Sequence, residues 1–302
     1  MTESSAPNVS VVIRAKDEAA TISQVLDAVT GQDLAPREVI LVDSGSTDGT
    51  LEIARRYPVT IHQMNPADFT FGAALNLGFG LARGELLVSL NADAIPASSG
   101  WLRALVSPLA DASVAGAYGR QLAMDDSWPI VRYSMESLYD GRRRRYAARP
   151  RFSNVNSCVR REVWQQFPFH DLWTGCEDAD WVKRLVKHGY RLEYVPGAAV
   201  KHSHNETLPK LWFRSWTEGA AAAIREPEAR CPLAGQFKTI AVGVARDWAR
   251  LLQERRNPRW LPHSVAYRTC RELAFYRGWQ DVAAGRLVPS RTPPPRSTRK
   301  DY

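Results

Sequence analysis

Strand-length apolar runs that alternate with segments of helical period most constrain what the N-terminal half of this chain can fold into. Residues 9–14, 38–42, 59–62 and 85–90 read as strands. Between the first two, Ala19, Ile22, Val25, Leu26 and Val29 recur at the spacing of one helix face, which predicts a helix over 18–29. Residues 43–50 form a polar turn leading into a second helix, with Ser46 or Thr47 as its expected cap. Residues 71–83 are expected to be helical despite their glycines. A β-α-β-α order packs as a mostly parallel sheet with helices on both faces, so the predicted class is α/β.

Further on, the alternation loosens. Residues 98–109 read as helix, 113–118 as strand, and 142–151 as a basic loop without apolar period. Residues 154–159 and 191–195 read as strands and 200–204 as a short extended segment. A helix over 178–188 would bury Trp181, Leu185 and Val186. From Leu208 the chain is expected to be helical, past Trp212, Phe213 and Trp216, then over 237–254 and 263–283. The expected organisation is a leader over 1–8, an α/β domain over 9–225, a helical extension over 226–288 and a tail over 289–302. That tail is rich in Pro, Arg and Ser and is expected to lack fixed structure.

In open α/β sheets ligands bind at the C-terminal edge of the strands. Asp43 closes the second strand, and Asn91-Ala92-Asp93 closes the fourth. Asp93 suits a divalent cation held against a diphosphate, and Asp43 suits the hydroxyls or ring N–H of a nucleoside. Gly45 and Gly49 would let the backbone approach such a ligand closely. The competing reading of Asn91-Ala92-Asp93 is a strand-ending turn, which Asn and Asp both favour. Neither a Walker loop nor a G-x-G-x-x-G turn is present.

Glu177-Asp178 opens a helix, where the dipole stabilises carboxylates and one of them can accept the proton of a sugar hydroxyl. Acidic residues are also ordinary at helix starts. Trp173, followed by Thr174, Gly175 and Cys176, offers an aromatic face to a sugar or else belongs to the core. His202 and His204 flank Ser203, so in an extended segment they share one face, as metal ligands, phosphate donors or plain surface histidines. Arg142-Arg143-Arg144-Arg145 is either a solvated charge run or a loop that closes over a diphosphate or an anionic acceptor.

A formal net charge of +8 on 302 residues favours polyanionic partners: nucleotide diphosphates, anionic lipid head groups or nucleic acid. The scattered cysteines Cys158, Cys176, Cys231 and Cys270 read as reduced thiols of a cytoplasmic protein. The leader resembles no signal peptide, and no uncharged apolar stretch approaches the ~20 residues of a membrane helix. The expectation is a soluble, cytoplasmic protein able to lie peripherally on the inner membrane face. Its C-terminal helices mix Trp248, Trp260, Tyr276 and Trp279 with Arg250, Arg255, Arg256, Arg259, Arg268, Arg271 and Arg277. Such a mixture suits anionic lipid, a cap on the α/β domain or a homodimer contact.

Taken in order, these segments resemble the family 2 glycosyltransferases of the GT-A fold, and within them a bacterial rhamnosyltransferase-like branch. The resemblance is carried by residues 11–18, 42–50, 69–78, 89–96, 118–121, 177–181 and 200–204, and spans about 9–220. It implies inverting, metal-dependent transfer of a sugar from a dTDP, UDP or GDP donor, with dTDP-rhamnose favoured. The acceptor would be a saccharide or lipid-linked acceptor in cell-surface polysaccharide or glycoconjugate synthesis. Carried over by position, Arg14, Ala15 and Glu18 would line the base and ribose pocket. Asp43 and Ser44 would contact the nucleoside, and Asn76 would face the donor. Asp93 would bind Mg²⁺ or Mn²⁺ together with His202, and Asn91 stands where many relatives have Asp, which weakens a second carboxylate–metal contact. Asp178 would be the catalytic base, with Glu177, Trp173 and Arg120 on the acceptor.

Two other classes fit parts of the chain. A sugar nucleotidyltransferase also joins a nucleotide-binding sheet to a metal aspartate, but its first turn is glycine-rich, whereas here it is Arg14-Ala15-Lys16-Asp17. A non-enzymatic polyanion or nucleic-acid binder would explain the charge, yet the excess lies in a loop and the C-terminal part rather than along one reading element.

Overall fold

Successive residues of the first strand bury on opposite faces. Val11 and Ile13 pack into one apolar cluster and Val12 into another, as expected of a central strand covered on both sides. The computed structural model describes residues 7–141, 152–171, 175 and 177–286. It divides into two compact units: residues 1–123, 138–171 and 177–202, and residues 124–137, 172–176 and 203–302.

The first unit is built on β1 (Val9–Ala15), α1 (Ile22–Thr30), β2 (Glu38–Asp43), α2 (Thr50–Ala54), β3 (Thr60–Gln63), α3 (Phe71–Leu81), β4 (Leu86–Asn91), β5 (Ile95–Pro96), α4 (Trp101–Val106) and β6 (Val114–Leu122). After α5 (Pro129–Leu138), which lies almost entirely in the second unit, it continues with β7 (Asn156–Arg160), α6 (Arg161–Gln166), α7 (Glu177–Lys187) and β8 (Arg191–Lys201). The sheet order is β3-β2-β1-β4-β7-β6-β8-β5. Strands β1 to β4 are parallel, β7 runs antiparallel between β4 and β6, and β5 runs antiparallel to β8.

Helices α1 and α4 cover one face through Ile22, Leu26, Trp101 and Leu105, and α3 and α7 cover the other through Leu75, Phe79, Trp181 and Leu185. The glycines of α3 have a packing reason. A Cβ on Gly78 would lie 2.3 Å from Val12 Cγ1, so only glycine lets this helix sit so close to β1. That closeness offsets the roughly 1 kcal/mol a helical glycine costs against alanine.

Several local expectations need correction. The cap of α2 is neither Ser46 nor Thr47 but Gly49, at φ 97, which has no side chain to donate or accept. Asp48 does that work instead, accepting from Thr50 N (3.0 Å) and from Ala19 N (2.9 Å). The segments 191–195 and 200–204 are one strand, β8, which ends at Lys201 and bulges between Val195 and Val200. Helices α5 and α6 and the two-residue β5 were not expected at all.

The second unit consists of α5, α8 (Leu208–Arg225), α9 (Leu233–Gln253) and α10 (Trp260–Ala283). Its core is Ile130, Val131, Tyr133, Leu211, Leu251 and Tyr267. Helices α8 and α10 touch backbone to backbone: a Cβ on Gly219 would lie 2.0 Å from Phe275 O, and one on Gly278 1.9 Å from Trp216 O. Buried Asp247 ties α9 to α10 by accepting from Ser264 Oγ (2.7 Å) and Arg268 Nη2 (2.8 Å). Helix α8 therefore groups with the helical unit rather than with the sheet. Among the described residues Cys158, Cys231 and Cys270 are free thiols, and no helix is long and apolar enough to cross a membrane.

Candidate active site

Arg14 and Asn91 are register partners where β1 and β4 end side by side. Arg14 Nη2 donates to Asn91 Oδ1 at 2.7 Å, and Nη1 lies 3.5 Å from Glu177 Oε1 in the first turn of α7. The guanidinium also lies over the Phe71 ring, 5.3 Å from its centroid. One side chain from β1 thus joins the ends of β4, α3 and α7. Burial lowers the Arg14 pKa, opposed by the negative charges of Glu177, Asp178 and Asp93.

The two adjacent acids of α7 have different environments. Glu177 is 5% exposed and accepts from Asn154 Nδ2 at 3.0 Å as well as facing Arg14. It is a buried anchor in this structure. Asp178 is half-buried, and its carboxyl is pushed up to about 7, first by burial and then by the negative charge of Glu177. The Ala179 N–H, donating at 2.6 Å to Asp178 Oδ1, opposes that rise. A carboxylate that titrates near neutrality is a stronger base than an ordinary aspartate and remains partly ionised at pH 7.

Asp93 Oδ2 lies 3.5 Å from His202 Nε2, just past the end of β8. Gln121 sets the ring's tautomer. Its amide nitrogen donates to Tyr139 Oη (2.8 Å) and Ser153 Oγ (3.1 Å), so its oxygen turns to His202 Nδ1 at 3.0 Å and accepts from it. In the neutral ring, Nε2 then carries a lone pair towards the Asp93 carboxylate. Two electron-pair donors facing each other across a short gap, one of them oriented by a buried amide, fit a divalent cation. Glu18 borders the same edge, and its carboxyl is raised to about 7 by burial and then by the charge of Asp93. Thr21 Oγ1 lies within hydrogen-bond distance of both Glu18 Oε2 (3.2 Å) and Ala92 O (3.0 Å).

Other expected site residues make hydrogen bonds within the fold in this structure. Asp43 is fully buried, and its carboxylate accepts from Gly45 N (2.9 Å), Ser46 N (3.1 Å) and the Ser46 hydroxyl. It therefore shapes the turn that follows β2. Ser44 N donates to Ala15 O (3.0 Å), which holds that turn against β1. Asn76 was expected to face the donor. In this structure its amide clips α3 to the segment after α6, donating to Phe169 O (2.8 Å) and accepting from Trp164 Nε1 (2.9 Å) and Phe169 N (3.1 Å). Arg120 is half-buried and donates to Tyr139 O at 3.0 Å. Trp173 and the run Arg142–Arg145, read from the sequence as acceptor and diphosphate contacts, lie outside the described residues. His204 lies beyond the end of β8, in the bounds of the second unit.

The profile of the family described as "Glycosyl transferase family 2" matches residues 10–167. The chain belongs to this family. It is similar to the O-antigen chain rhamnosyltransferase RfbN of Salmonella typhimurium, 29% identical over 274 residues that cover 85% of this chain and 86% of the relative. It is also similar to the O-antigen chain rhamnosyltransferase WbaN of Salmonella anatum, 28% identical with 82% of each chain covered. Among solved structures, a mannosyltransferase of Pyrobaculum calidifontis in complex with GDP-Man and Mn²⁺ superimposes with a TM-score of 0.63 at 22% identity, over 91% of this chain and 87% of that one. Glucosyl-3-phosphoglycerate synthase of Mycobacterium tuberculosis, in complex with Mn²⁺ and UDP, gives 0.56 at 21% identity over 72% and 80%. These likenesses identify the GT-A fold.

This family 2 glycosyltransferase is a rhamnosyltransferase-like enzyme of the class that works from a nucleotide-sugar donor. Two residues that build its site carry little signal of their own in the sequence. Gln121 orients His202, and Asn154 holds Glu177, each from a strand or turn distant along the chain. Gln121 sits in the 118–121 segment, which alone hinted at it.

Proposed function

We propose that this family 2 glycosyltransferase moves a deoxyhexose, rhamnose first among them, from a nucleoside diphosphate to a saccharide or lipid-linked acceptor with inversion at the anomeric carbon. The observation that carries this reading is the contrast between neighbouring acids: Glu177 buried on Arg14, and Asp178 half-buried beside it, its carboxyl raised by burial and by the charge of Glu177. Ionised Asp178 takes the acceptor hydroxyl proton while that oxygen attacks the anomeric carbon. The bond from that carbon to the diphosphate oxygen breaks, and its electron pair leaves on the nucleoside diphosphate. Asp93 and His202 would hold Mg²⁺ or Mn²⁺, which supplies neutralising charge to the departing diphosphate. Ala15, Ser44 and the turn shaped by Asp43 would receive the nucleoside, and Glu18 would border it on the side of Asp93. Two relatives, both O-antigen chain rhamnosyltransferases, support rhamnose.

The test is a thermal-shift and transfer panel of dTDP-rhamnose, UDP-glucose and GDP-mannose, each with and without Mn²⁺. A ligand at a hundredfold its Kd stabilises by about 2.7 kcal/mol. The reading requires the largest Mn²⁺-dependent shift, and transfer, from the dTDP sugar. A larger shift and transfer from UDP or GDP sugars would overturn rhamnose, and no shift from any of the three would overturn the donor site.

A further inference from the structure

Helix α9 keeps its apolar side in water. Leu233, Phe237, Ala241, Ala245, Trp248 and Leu252 recur at helical spacing along its length, and every one is exposed, Phe237 at 56% and Leu252 at 69%. Only Asp247 and Leu251 of this helix are buried. At Trp248 the stripe meets an open groove of about 800 Å³ lined by Trp212, Leu261, Val265 and Leu273 of α8 and α10. A continuous apolar surface of this kind on a globular protein marks a place where something docks.

The charges around it indicate what docks. Lys238 and Arg246 on α9, and Arg255 and Arg259 in the turn that follows, are exposed and have no ion pair among the described residues. A second copy of the chain laid on this stripe would bring these cations against their own kind. The chain's own segments outside the described residues carry the wrong chemistry, because residues 142–151 and 287–302 are dominated by Arg, Pro and Ser. An anionic lipid surface satisfies both features at once: acyl chains take the aromatic and aliphatic side chains, and head groups take the cations.

We infer that α9 and the adjoining groove form a membrane-docking face that inserts Phe237, Trp248 and Leu252 into an anionic bilayer while Lys238, Arg246, Arg255 and Arg259 contact its head groups. The face lies wholly in the helical unit and is independent of the donor and acceptor chemistry proposed above.

The experiment is co-sedimentation of the full chain with phosphatidylcholine vesicles, with and without phosphatidylglycerol. Parallel samples carry Phe237→Glu with Leu252→Glu, or Lys238→Glu with Arg246→Glu, each pair checked for an unchanged melting temperature. The docking face predicts binding that depends on phosphatidylglycerol and weakens with salt, reduced about tenfold or more in the first pair. The charge pair should lose affinity for phosphatidylglycerol vesicles while leaving any weak binding to neutral ones. Wild-type protein that stays in solution with anionic vesicles at low salt overturns the inference. So does a Phe237→Glu, Leu252→Glu protein that binds as well as wild type. A wild-type dimer in light scattering that the same pair converts to monomer would assign the face to a second copy and overturn it too.

Discussion

The guanidinium of Arg14 stands 3.5 Å from the Glu177 carboxylate, with the two side chains 8% and 6% exposed. A buried charge stripped of its partner costs far more than the pair itself contributes. Arg14→Met should therefore lower stability by about 3 kcal/mol or more. Adding Glu177→Met should recover part of that loss. Chemical denaturation of the single and double variants reads the coupling, and additive losses would show that the two groups do not depend on each other.

Asp178 titrates higher in the folded chain than its ordinary 3.8, at about 7, with burial as the first cause. The folded state holds this proton more tightly than the unfolded chain does, so the group's contribution to stability falls as pH rises from the usual carboxylate range through about 7. Asp178→Asn removes the titration. It should melt above wild type at pH 8, with an advantage that shrinks as pH falls and vanishes below about pH 4. A gain of about 1 kcal/mol corresponds to roughly 2–4 °C.

The same ionisation sets the pH profile of transfer. With Asp178 as the base, kcat/KM should rise with pH to a plateau, with its midpoint close to 7. Asp178→Asn should bind donor like wild type and transfer nothing measurable. A flat profile, or turnover by the variant, would remove Asp178 from that role.

At the proposed cation site, Asp93→Ala and His202→Ala should each make nucleotide binding indifferent to Mn²⁺, as read by calorimetry. Gln121→Leu would leave His202 Nδ1 without the oxygen that now fixes it, and it should weaken Mn²⁺-dependent binding by about 10- to 100-fold. Asn91→Asp makes a contrasting case. The new carboxylate would face Arg14 Nη2, which already donates there at 2.7 Å, so metal affinity should not rise. A tenfold gain, about 1.4 kcal/mol, would show the carboxylate turned towards the cation.

Gly119→Ala tests the sheet beside the site. A Cβ there would lie 1.9 Å from Ala198 O and 2.2 Å from Asn156 Nδ2, and neither can withdraw freely. Overpacking of this kind costs about 1–3 kcal/mol, and equilibrium unfolding should report it.

What was legible in the sequence follows from where the controlling interactions lie. The runs that became β1, β2 and β4 are buried on both faces, so an apolar run alone declares them. Asp93 and the pair Glu177-Asp178 were readable because a strand end and a helix start are local features. The division of labour within that pair was not, because Arg14 and Asn154, both far along the chain, decide it. Asp43 and Asn76 look like ligand groups in the sequence, and in the structure each also makes hydrogen bonds within the fold. A polar side chain at a strand end or on a helix face is equally able to satisfy backbone donors and acceptors, and here it does so. Between the two expected pieces of β8, Pro196 and Gly197 interrupt the strand pattern, although the chain continues through them as a bulge.

That bulge has a consequence for the histidine. Along β6 and β8 the pairing passes from Gly119 opposite Val195 to Gln121 opposite Val200, so β8 carries surplus residues over the same length of its neighbour. Side chains of a strand change sides at every residue. The size of the surplus therefore fixes the phase in which the strand arrives at its end, and with it the side on which His202 emerges. Deleting Gly197 alone would invert that phase and turn the imidazole away from Asp93, although neither residue had been touched.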